Sequence, residues 1–183
     1  GTDNRTMLAA CDSTPQMRAI VVVDEDTPPS TLAAYRKRGA VGCRVNMLFG
    51  SNARIDSLCS LARRIADQGW HLQILGDVSA LGDRMDEFAS LPVPVVFDHF
   101  GHLQAIRGIN DPGFRGLLRL LGSGAAWVKL SGAYRLGPAG AQTDRAVADL
   151  AAALIAANPD QLVWGSDWPH PASPQQDMPN DGD

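Results

Sequence analysis

Six short apolar runs occur along the chain, and each has the length and the β-branched content of a buried strand. They cover residues 19–23, 41–46, 71–75, 93–97, 126–130 and 162–165, and Trp164 is expected in the core of the last one. The segments between the runs carry apolar residues at helical spacing. Because alternating strands and helices are typical of a parallel sheet, the pattern predicts an α/β protein.

The segments between the runs also contain residues that start and stop helices. Ser30 can cap a helix that ends at Gly39, and Thr143 can cap the last helix. Asp111 followed by Pro112 combines an N-cap with a proline in the first turn. The apolar faces expected to be buried are Leu58, Leu61, Ala62 and Ile65, then Leu117, Leu118 and Leu121, and then Val147, Leu150 and Leu154.

Composition restricts the class of protein. The 183 residues are 45% hydrophobic and 20% charged, which predicts one soluble domain over residues 1–183 with a sizeable core. The formal net charge is −4 and the basic residues are scattered, so we expect no nucleic-acid partner. No apolar run reaches transmembrane length, so no membrane partner is expected. The three cysteines lack the spacing of a zinc site or a disulfide framework, which predicts a cytoplasmic protein.

Polar side chains follow or end nearly every apolar run, and this helps to choose between two architectures. A closed eight-stranded barrel brings all its strand ends to one mouth, whereas an open doubly wound sheet concentrates ligands at one switch point. The pattern therefore favours the barrel, and no glycine-rich nucleotide loop follows any run. The residues concerned are Asp24, Arg44, Asn46, Gln73, Asp98, His99, Lys129, Ser131 and Asp167.

Three motifs together resemble those of the amidohydrolase-related hydrolases, also called amidohydrolase family 2. They are residues 98–101 (DHFG), 127–135 (WVKLSGAYR) and 164–171 (WGSDWPHP). Residues 42–46 (GCRVN) resemble the Gly-Val-Arg-Phe-Asn segment of one branch, the 2-pyrone-4,6-dicarboxylate lactonase-like proteins. The resemblance spans the whole chain, and among the branches of the family this one is the most similar.

The resemblance implies a distorted (β/α)8 barrel, or TIM barrel, of which this chain holds strands three to eight. Such barrels need roughly 250 residues and eight strands, more than the runs found here. The first strand of the family carries a His-x-His pair, and this sequence contains none. The helix after the eighth strand also looks cut off. We therefore expect an incomplete domain, a fragment that lacks the first two strands and the C-terminal end.

The resemblance also implies catalytic roles for Asp167 and His99. Hydrolysis of an ester or lactone needs a base for water and a donor for the developing oxyanion. By similarity, Asp167 is the general base, and we expect partial burial to raise its pKa. The alternative for Asp167 is a helix cap or a loop brace. His99 is expected to act as the donor beside the carbonyl, although a lone strand-end histidine is more often structural.

Arg44 and Arg135 are the candidates for binding substrate carboxylates. A guanidinium group stays charged and matches a carboxylate in bidentate fashion, so two such groups suggest an acidic substrate. The alternative for each arginine is an internal ion pair with Asp24, Asp77 or Asp98.

Four more residues complete the predicted substrate-binding set. His102 stands where the lactonase-like proteins tend to have arginine, so the substrate need not be the pyrone dicarboxylate itself. Lys129 either holds a carboxylate or forms a buried ion pair that joins strands. Ser131 either donates to the substrate or caps a turn. Gln73 faces the predicted mouth, at the place where related zinc enzymes have a ligand.

Gln73 also bears on metal dependence, because related amidohydrolases bind zinc through histidines and an aspartate, and glutamine is a poor zinc ligand. The sequence therefore favours a metal-free site without a cofactor. In the zinc-dependent alternative, His99 and Asp167 are metal ligands.

Together these features predict a cytoplasmic hydrolase that opens a lactone or ester in a carboxylated small molecule derived from aromatic catabolism. A second hypothesis is a zinc-dependent hydrolase or decarboxylase of the same superfamily. A third is a catalytically silent, truncated barrel. The sequence predicts no particular oligomeric state.

Overall fold

The computed structural model describes residues 1–48 and 55–171, and the predicted loss of the last barrel helix falls outside them. The helices are α1 (Arg5–Ser13), α2 (Pro29–Lys37), α3 (Ile55–Ala66), α4 (Val78–Leu81), α5 (Pro112–Gly122) and α6 (Ala141–Ala157). The strands are β1 (Ala19–Val21), β2 (Ala40–Asn46), β3 (His71–Leu75), β4 (Val95–Phe97), β5 (Ala126–Ser131) and β6 (Leu162–Gly165). Short 3₁₀ segments cover Gly82–Ser90, His99–His102, Ala105–Arg107, Ala133–Leu136 and Pro159–Gln161.

The chain divides into two compact units. The first comprises Gly1–Leu75 and Glu87–Val96, and the second comprises Gly76–Asp86 and Phe97–Asp183. The first unit therefore contains α1 to α3 and β1 to β3, whereas the second contains α4 to α6, β5 and β6. The single domain over residues 1–183 that composition indicates stays a prediction.

The strands follow each other in chain order, β1-β2-β3-β4-β5-β6. The β1–β2, β2–β3 and β5–β6 pairs are parallel, as alternating strands and helices predict. In the first unit, Arg44 lies opposite Gln73. In the second unit, Ser131 lies opposite Gly165, so β5 and β6 end side by side. Polar residues that directly follow these two strands therefore lie at the same edge of the sheet.

Helices pack on the strands of the first unit through the predicted apolar stripe of α3. Leu58, Ala62 and Ile65 are at most 1% exposed, whereas Leu61 is only half-buried. Trp70 and Leu72 bury their side chains in the same unit. Burying side chains of this size stabilises the fold by about 1.5–3 kcal/mol each.

The second unit is held together by α5, which packs closely on α4. A side chain at Gly113 would place its Cβ 1.9 Å from the carbonyl oxygen of Val78, so only glycine permits this approach. Asp111 caps α5 as predicted, accepting hydrogen bonds from the backbone N–H groups of Gly113 and Phe114 at 2.9 and 3.3 Å. Of the predicted apolar faces, Leu117, Leu121, Leu150 and Leu154 are fully buried, and Leu118 and Val147 are half-buried.

Two predicted helix caps are wrong, and one helix was missed. The helix α1 was not expected from the sequence. Ser30 is not an N-cap, because α2 already begins at Pro29, where proline fits the first turn. Thr143 likewise lies inside α6, which begins at Ala141 after Gly140.

The strand β6 is present as predicted but is not buried. Val163 and Trp164 are 40% and 77% exposed, so the expectation that Trp164 lies in the core is wrong. In the described part of the chain, β6 is the last strand of the order and has only β5 as a strand neighbour. An apolar run predicts a strand but not whether a second strand flanks it.

Two further features bear on the class of protein. Within residues 1–48 and 55–171, no helix combines the length and apolar character needed to cross a membrane. The three cysteines, Cys11, Cys43 and Cys59, are free thiols. Burial raises the pKa of the Cys43 thiol to about 11, so this group is neutral at physiological pH.

Candidate active site

Asp167 lies in a tight turn that follows β6. Its backbone is left-handed, with φ of 64°, a conformation that costs most residues about 1–2 kcal/mol and that aspartate tolerates better than most. The N–H of His170 donates to the carbonyl oxygen of Asp167 at 2.7 Å, and the hydroxyl of Ser166 accepts from the N–H of Trp168 at 3.1 Å. The turn thus holds the carboxylate in a backbone conformation that is typical of functional sites.

His99 lies in a second strained turn, the 3₁₀ segment after β4. The φ angles of His99, Phe100 and His102 are 50°, 57° and 52°, and that of Gly101 is 70°. Because β4 ends at Phe97, His99 belongs to the turn rather than to the strand end. The ring is buried, with His99 only 6% exposed.

Gly132 allows these two turns to come together. It follows β5 with φ of 59°, and a Cβ at this position would lie 2.9 Å from Nδ1 of His99 and 3.2 Å from Oδ2 of Asp167. Both the left-handed backbone and the lack of space require glycine here. The site therefore depends on the absence of a side chain between the histidine and the aspartate.

The two oxygens of the Asp167 carboxylate have different surroundings. Oδ2 accepts hydrogen bonds from the hydroxyl of Tyr134 at 2.6 Å and from Nε of Arg135 at 2.5 Å. Oδ1 lies 3.7 Å from Nε2 of His99, which is longer than a hydrogen bond. The arrangement leaves one oxygen of Asp167 turned toward the histidine.

The pKa of Asp167 is lower than the ordinary aspartate value. Burial raises it, as the sequence predicted, but the hydrogen bonds from Tyr134 and Arg135 and the charge of His99 together lower it by more. The expectation of a raised pKa is therefore wrong in its net direction. Asp167 is a carboxylate at neutral pH, able to accept a proton.

Ser131 and His102 surround the His99 ring. The Ser131 hydroxyl lies 2.9 Å from Nδ1 of His99 and fixes the orientation of that ring. His102 packs edge-on against it with ring centroids 6.2 Å apart. Burial lowers the pKa of His102, and the charge of Arg135 adds to this, so His102 is neutral at physiological pH. The predicted substrate-binding roles of both residues stay predictions.

Lys129 forms an ion pair, which is the structural one of its two predicted roles. Its Nζ lies 3.1 Å from Oδ1 of Asp98, whose side chain is 2% exposed. The pair joins β5 to the residue after β4, as a buried ion pair that knits strands together. A lysine held in this way is poorly placed to bind a substrate carboxylate as well, and that role stays a prediction.

Arg135 also forms an internal ion pair, but with a partner the sequence did not suggest. The sequence offered Asp24, Asp77 and Asp98 as partners, whereas the guanidinium group contacts Asp167 in the structure. A second donor, Nη2, reaches the carbonyl oxygen of Pro171 at 2.8 Å. The arginine side chain is 17% exposed, so it lies at the margin of the site.

Arg44 and Gln73 belong to the first unit, where β2 and β3 set them side by side. Gln73 is 5% exposed, whereas Arg44 is half-buried. Their predicted roles in substrate binding stay predictions.

Two residues of the cluster were missed by sequence reasoning about the site, namely Tyr134 and Gly132. Both lie within the 127–135 motif, next to the predicted site residues Ser131 and Arg135. This proximity in sequence was the only signal that could have identified them. His170 has a structural part, because its buried ring packs edge-on against Tyr134 with centroids 5.6 Å apart. Tyr134 is thus braced on one side and bonded to Asp167 on the other.

The zinc alternative requires converging ligands. Within the described residues, no three histidine, cysteine, aspartate or glutamate side chains come together in a way that could hold a metal ion. Oδ2 of Asp167 already accepts two hydrogen bonds, and Nδ1 of His99 is engaged by Ser131. The described part of the site therefore does not fit a tetrahedral zinc centre, which needs at least three protein ligands.

An aspartate and a histidine in the turns that follow strands of an α/β protein lie where barrel-type folds place their active sites. The chain belongs to the amidohydrolase family: the family model Amidohydro_2, described as Amidohydrolase, matches residues 1–181. The predicted resemblance is thus confirmed.

Named relatives agree with this assignment. The chain is similar to the 2-pyrone-4,6-dicarboxylate hydrolase of Comamonas testosteroni, with 31% identity over the whole chain and 63% of that protein. It is equally similar to the 4-sulfomuconolactone hydrolase of Hydrogenophaga intermedia, with 31% identity over the whole chain and 62% of that protein. The chain therefore spans a little under two thirds of the length of these relatives.

A solved structure confirms the fold class. A provisionally named 2-pyrone-4,6-dicarboxylic acid hydrolase from Pseudomonas putida matches with a TM-score of 0.82 and 37% identity, covering 93% of this chain and 64% of the other. The α/β class and its relation to the amidohydrolase TIM barrels, predicted from the runs and motifs, are confirmed.

Proposed function

We propose that the protein is a hydrolase that opens the ring of a lactone bearing a carboxylate or a sulfonate. One observation carries the proposal: Oδ1 of Asp167 and Nε2 of His99 face each other at 3.7 Å, while Oδ2 and Nδ1 are engaged by protein groups. A water or substrate oxygen that lies beside this pair can be within hydrogen-bond distance of both atoms. A base and a hydrogen-bond donor thus face the same reacting centre.

In the proposed reaction, Asp167 takes a proton from a water molecule while the water oxygen attacks the lactone carbonyl carbon. The proposal places a ring N–H of His99 at Nε2, with Nδ1 facing the Ser131 hydroxyl at 2.9 Å. That N–H donates to the developing oxyanion. Collapse of the tetrahedral intermediate breaks the ring C–O bond, and the leaving oxygen receives the proton from Asp167, which restores the starting enzyme.

The substrate class rests on the relatives and on charge. One relative is named as a hydrolase of a pyrone dicarboxylate and the other as a hydrolase of a sulfonated lactone, and both names fit the aromatic-catabolism substrate that we propose for this chain. Arg135, which lies beside Asp167, supplies a cation that such an anion needs. The three free thiols support a reducing, cytoplasmic location for the protein.

We further propose that the chemistry is metal-independent. Tyr134 and Arg135 already bond to Oδ2 of Asp167, and Ser131 already contacts Nδ1 of His99, so these atoms are engaged by protein groups. The test is a lactone-hydrolysis assay on the whole protein with and without chelator, alongside elemental analysis. We expect turnover that survives chelation, without stoichiometric metal. Chelator-sensitive activity with about one zinc per chain would favour the zinc alternative. No turnover over a panel of acidic lactones would favour the catalytically silent one.

A further inference from the structure

Arg135 holds the proposed base through one donor only. Its Nε donates to Oδ2 of Asp167, Nη2 donates to the carbonyl oxygen of Pro171, and its guanidinium carbon lies 4.9 Å from the centre of the Tyr134 ring. A guanidinium group has five N–H donors, arranged to bind a carboxylate with two parallel hydrogen bonds. The bond to Asp167 uses a single one of these donors, so it is not the bidentate arrangement that an incoming anion can make.

The consequence for Asp167 is that its Oδ2 atom is engaged by Arg135 and Tyr134 before a substrate arrives. The charge and hydrogen bond of Arg135 stabilise the carboxylate as an anion and so oppose proton transfer to it. The other charged or titratable groups that influence Asp167 are His99, His102 and Tyr134. Of these, only Arg135 is both a permanent cation and part-exposed to an entering ligand.

We propose that Arg135 is a specificity-determining residue that exchanges Asp167 for the anionic group of the substrate, so that binding an acidic lactone itself releases the base. The inference rests on the proposed lactone hydrolysis and names what distinguishes a good substrate, an anion within reach of Arg135. A neutral lactone leaves Arg135 on Asp167 and is turned over slowly even when it is bound.

Tyr134 makes the exchange productive. Its hydroxyl bonds the same oxygen, Oδ2, at 2.6 Å, and its ring is braced edge-on by His170. When Arg135 leaves, this hydrogen bond still fixes the orientation of the carboxylate and keeps Oδ1 toward His99. Tyr134 is therefore a positioning residue, whereas Arg135 is the group that moves.

The alternative is that Arg135 is a permanent brace of the Asp167 turn. Its second bond, to the carbonyl of Pro171, is what such a brace would make. The two views differ in what happens to the Arg135 Nε–H when an anion binds, which can be measured without any turnover.

The first test is nuclear magnetic resonance of the whole protein labelled with ¹⁵N-arginine. The Arg135 Nε–H signal is identified by its loss in the Arg135→Lys variant. The probe is benzene-1,3-dicarboxylate, which has no hydrolysable bond, and the control is the neutral benzene-1,3-dicarboxamide. We expect the dicarboxylate, and not the diamide, to shift this signal. The proposal is overturned if the dicarboxylate binds by calorimetry with the signal unchanged, or if it does not bind.

The second test is kinetic and compares an acidic lactone with its neutral methyl ester of the same ring. In the wild-type protein we expect kcat for the neutral lactone to be at least about tenfold lower, beyond any effect on KM. In Arg135→Gln the ratio of the two kcat values should approach one. Arg107→Gln, which removes an arginine bonded to Asp111 and outside the Asp167 cluster, is the matched control and should keep the wild-type ratio.

A change confined to KM in Arg135→Gln, with the kcat ratio retained, would show simple anion binding and overturn the exchange. The two tests also separate this inference from the proposed function. If no lactone is hydrolysed but the dicarboxylate shifts the Arg135 signal, the proposed reaction is wrong while the exchange of partners stands.

Discussion

Two aspartates of the second unit each meet a cation, but in backbones of different character. Asp98 lies 3.1 Å from Nζ of Lys129 and has an ordinary extended backbone, with φ of −73°. Asp167 lies 2.5 Å from Nε of Arg135 and sits in a left-handed turn, with φ of 64°. The chemical groups are alike, a carboxylate with a basic side chain.

The difference lies in strain and in the orientation of the second oxygen. Asp98 is almost fully buried, at 1% exposure, and its pair joins two neighbouring segments. Asp167 is held in a costly conformation that turns Oδ1 toward His99. A buried carboxylate next to a cation is therefore not enough to propose catalysis, and the proposal for Asp167 rests on backbone strain together with an oxygen directed at His99.

The largest expected effect separates these two aspartates. Asp167→Asn should lower kcat for lactone hydrolysis by about 10³-fold, because the amide cannot take the proton from water. Asp98→Asn should instead lower the free energy of unfolding by about 2 kcal/mol, since the Lys129 charge loses its carboxylate. Steady-state kinetics and urea unfolding on both variants measure the two quantities. Equal losses of kcat in both variants would contradict the comparison.

The second effect concerns the space between Asp167 and His99. Gly132→Ala should reduce kcat by about 10²-fold, because a Cβ 2.9 Å from the imidazole pushes the base and the donor apart. Gly69→Ala is the matched control, since Gly69 has a similar φ of 66° and nothing within 4 Å of the added Cβ. It should cost about 1 kcal/mol of stability and leave kcat unchanged. Similar kcat losses in the two variants would show that backbone strain alone explains the effect.

A smaller effect is expected at the His99 ring. Ser131→Ala removes the hydrogen bond at Nδ1, worth about 1 kcal/mol, so kcat should fall about fivefold. Steady-state assays of the variant at several pH values measure this loss. Ser123→Ala, whose hydroxyl donates to the Leu120 carbonyl on α5, is a suitable control. An unchanged kcat in Ser131→Ala would mean that the serine does not orient the ring.

The smallest effect is the pH dependence of stability that Asp167 contributes. Its pKa is lowered in the folded protein, so its ionised form stabilises the fold above the unfolded aspartate value of about 4. This contribution is lost as the pH falls from that value through the folded pKa. The difference in free energy of unfolding between wild type and Asp167→Asn should therefore narrow below about pH 4. A difference that stays constant down to acid-induced unfolding would contradict the lowered pKa.

The sequence predicted much of the fold because apolar runs and helix signals are local. The six strands of the described residues lie within the predicted runs or one residue beyond them, and the Asp111 cap of α5 is as expected. The exposure of Trp164 could not be predicted, because burial of a strand depends on what lies beside it.

At the candidate site, the motifs pointed to Asp167 and His99, and the structure brings these two together. The sequence could not predict which basic side chain forms an ion pair with which carboxylate. Arg135 and Asp167 are 32 positions apart, and only the parallel register of β5 and β6 brings them together. The net pKa of Asp167 was misjudged for the same reason, since the contacts that lower it come from Tyr134 and Arg135.

The exposure of the tryptophans has an optical consequence. Trp70 is 1% exposed, whereas Trp164 and Trp168 are 77% and 76% exposed. The two exposed indoles should emit at longer wavelength and be quenched readily by acrylamide, while Trp70 is shielded. Because Trp168 directly follows Asp167, its fluorescence offers an intrinsic reporter for ligands that reach this turn, without any added dye.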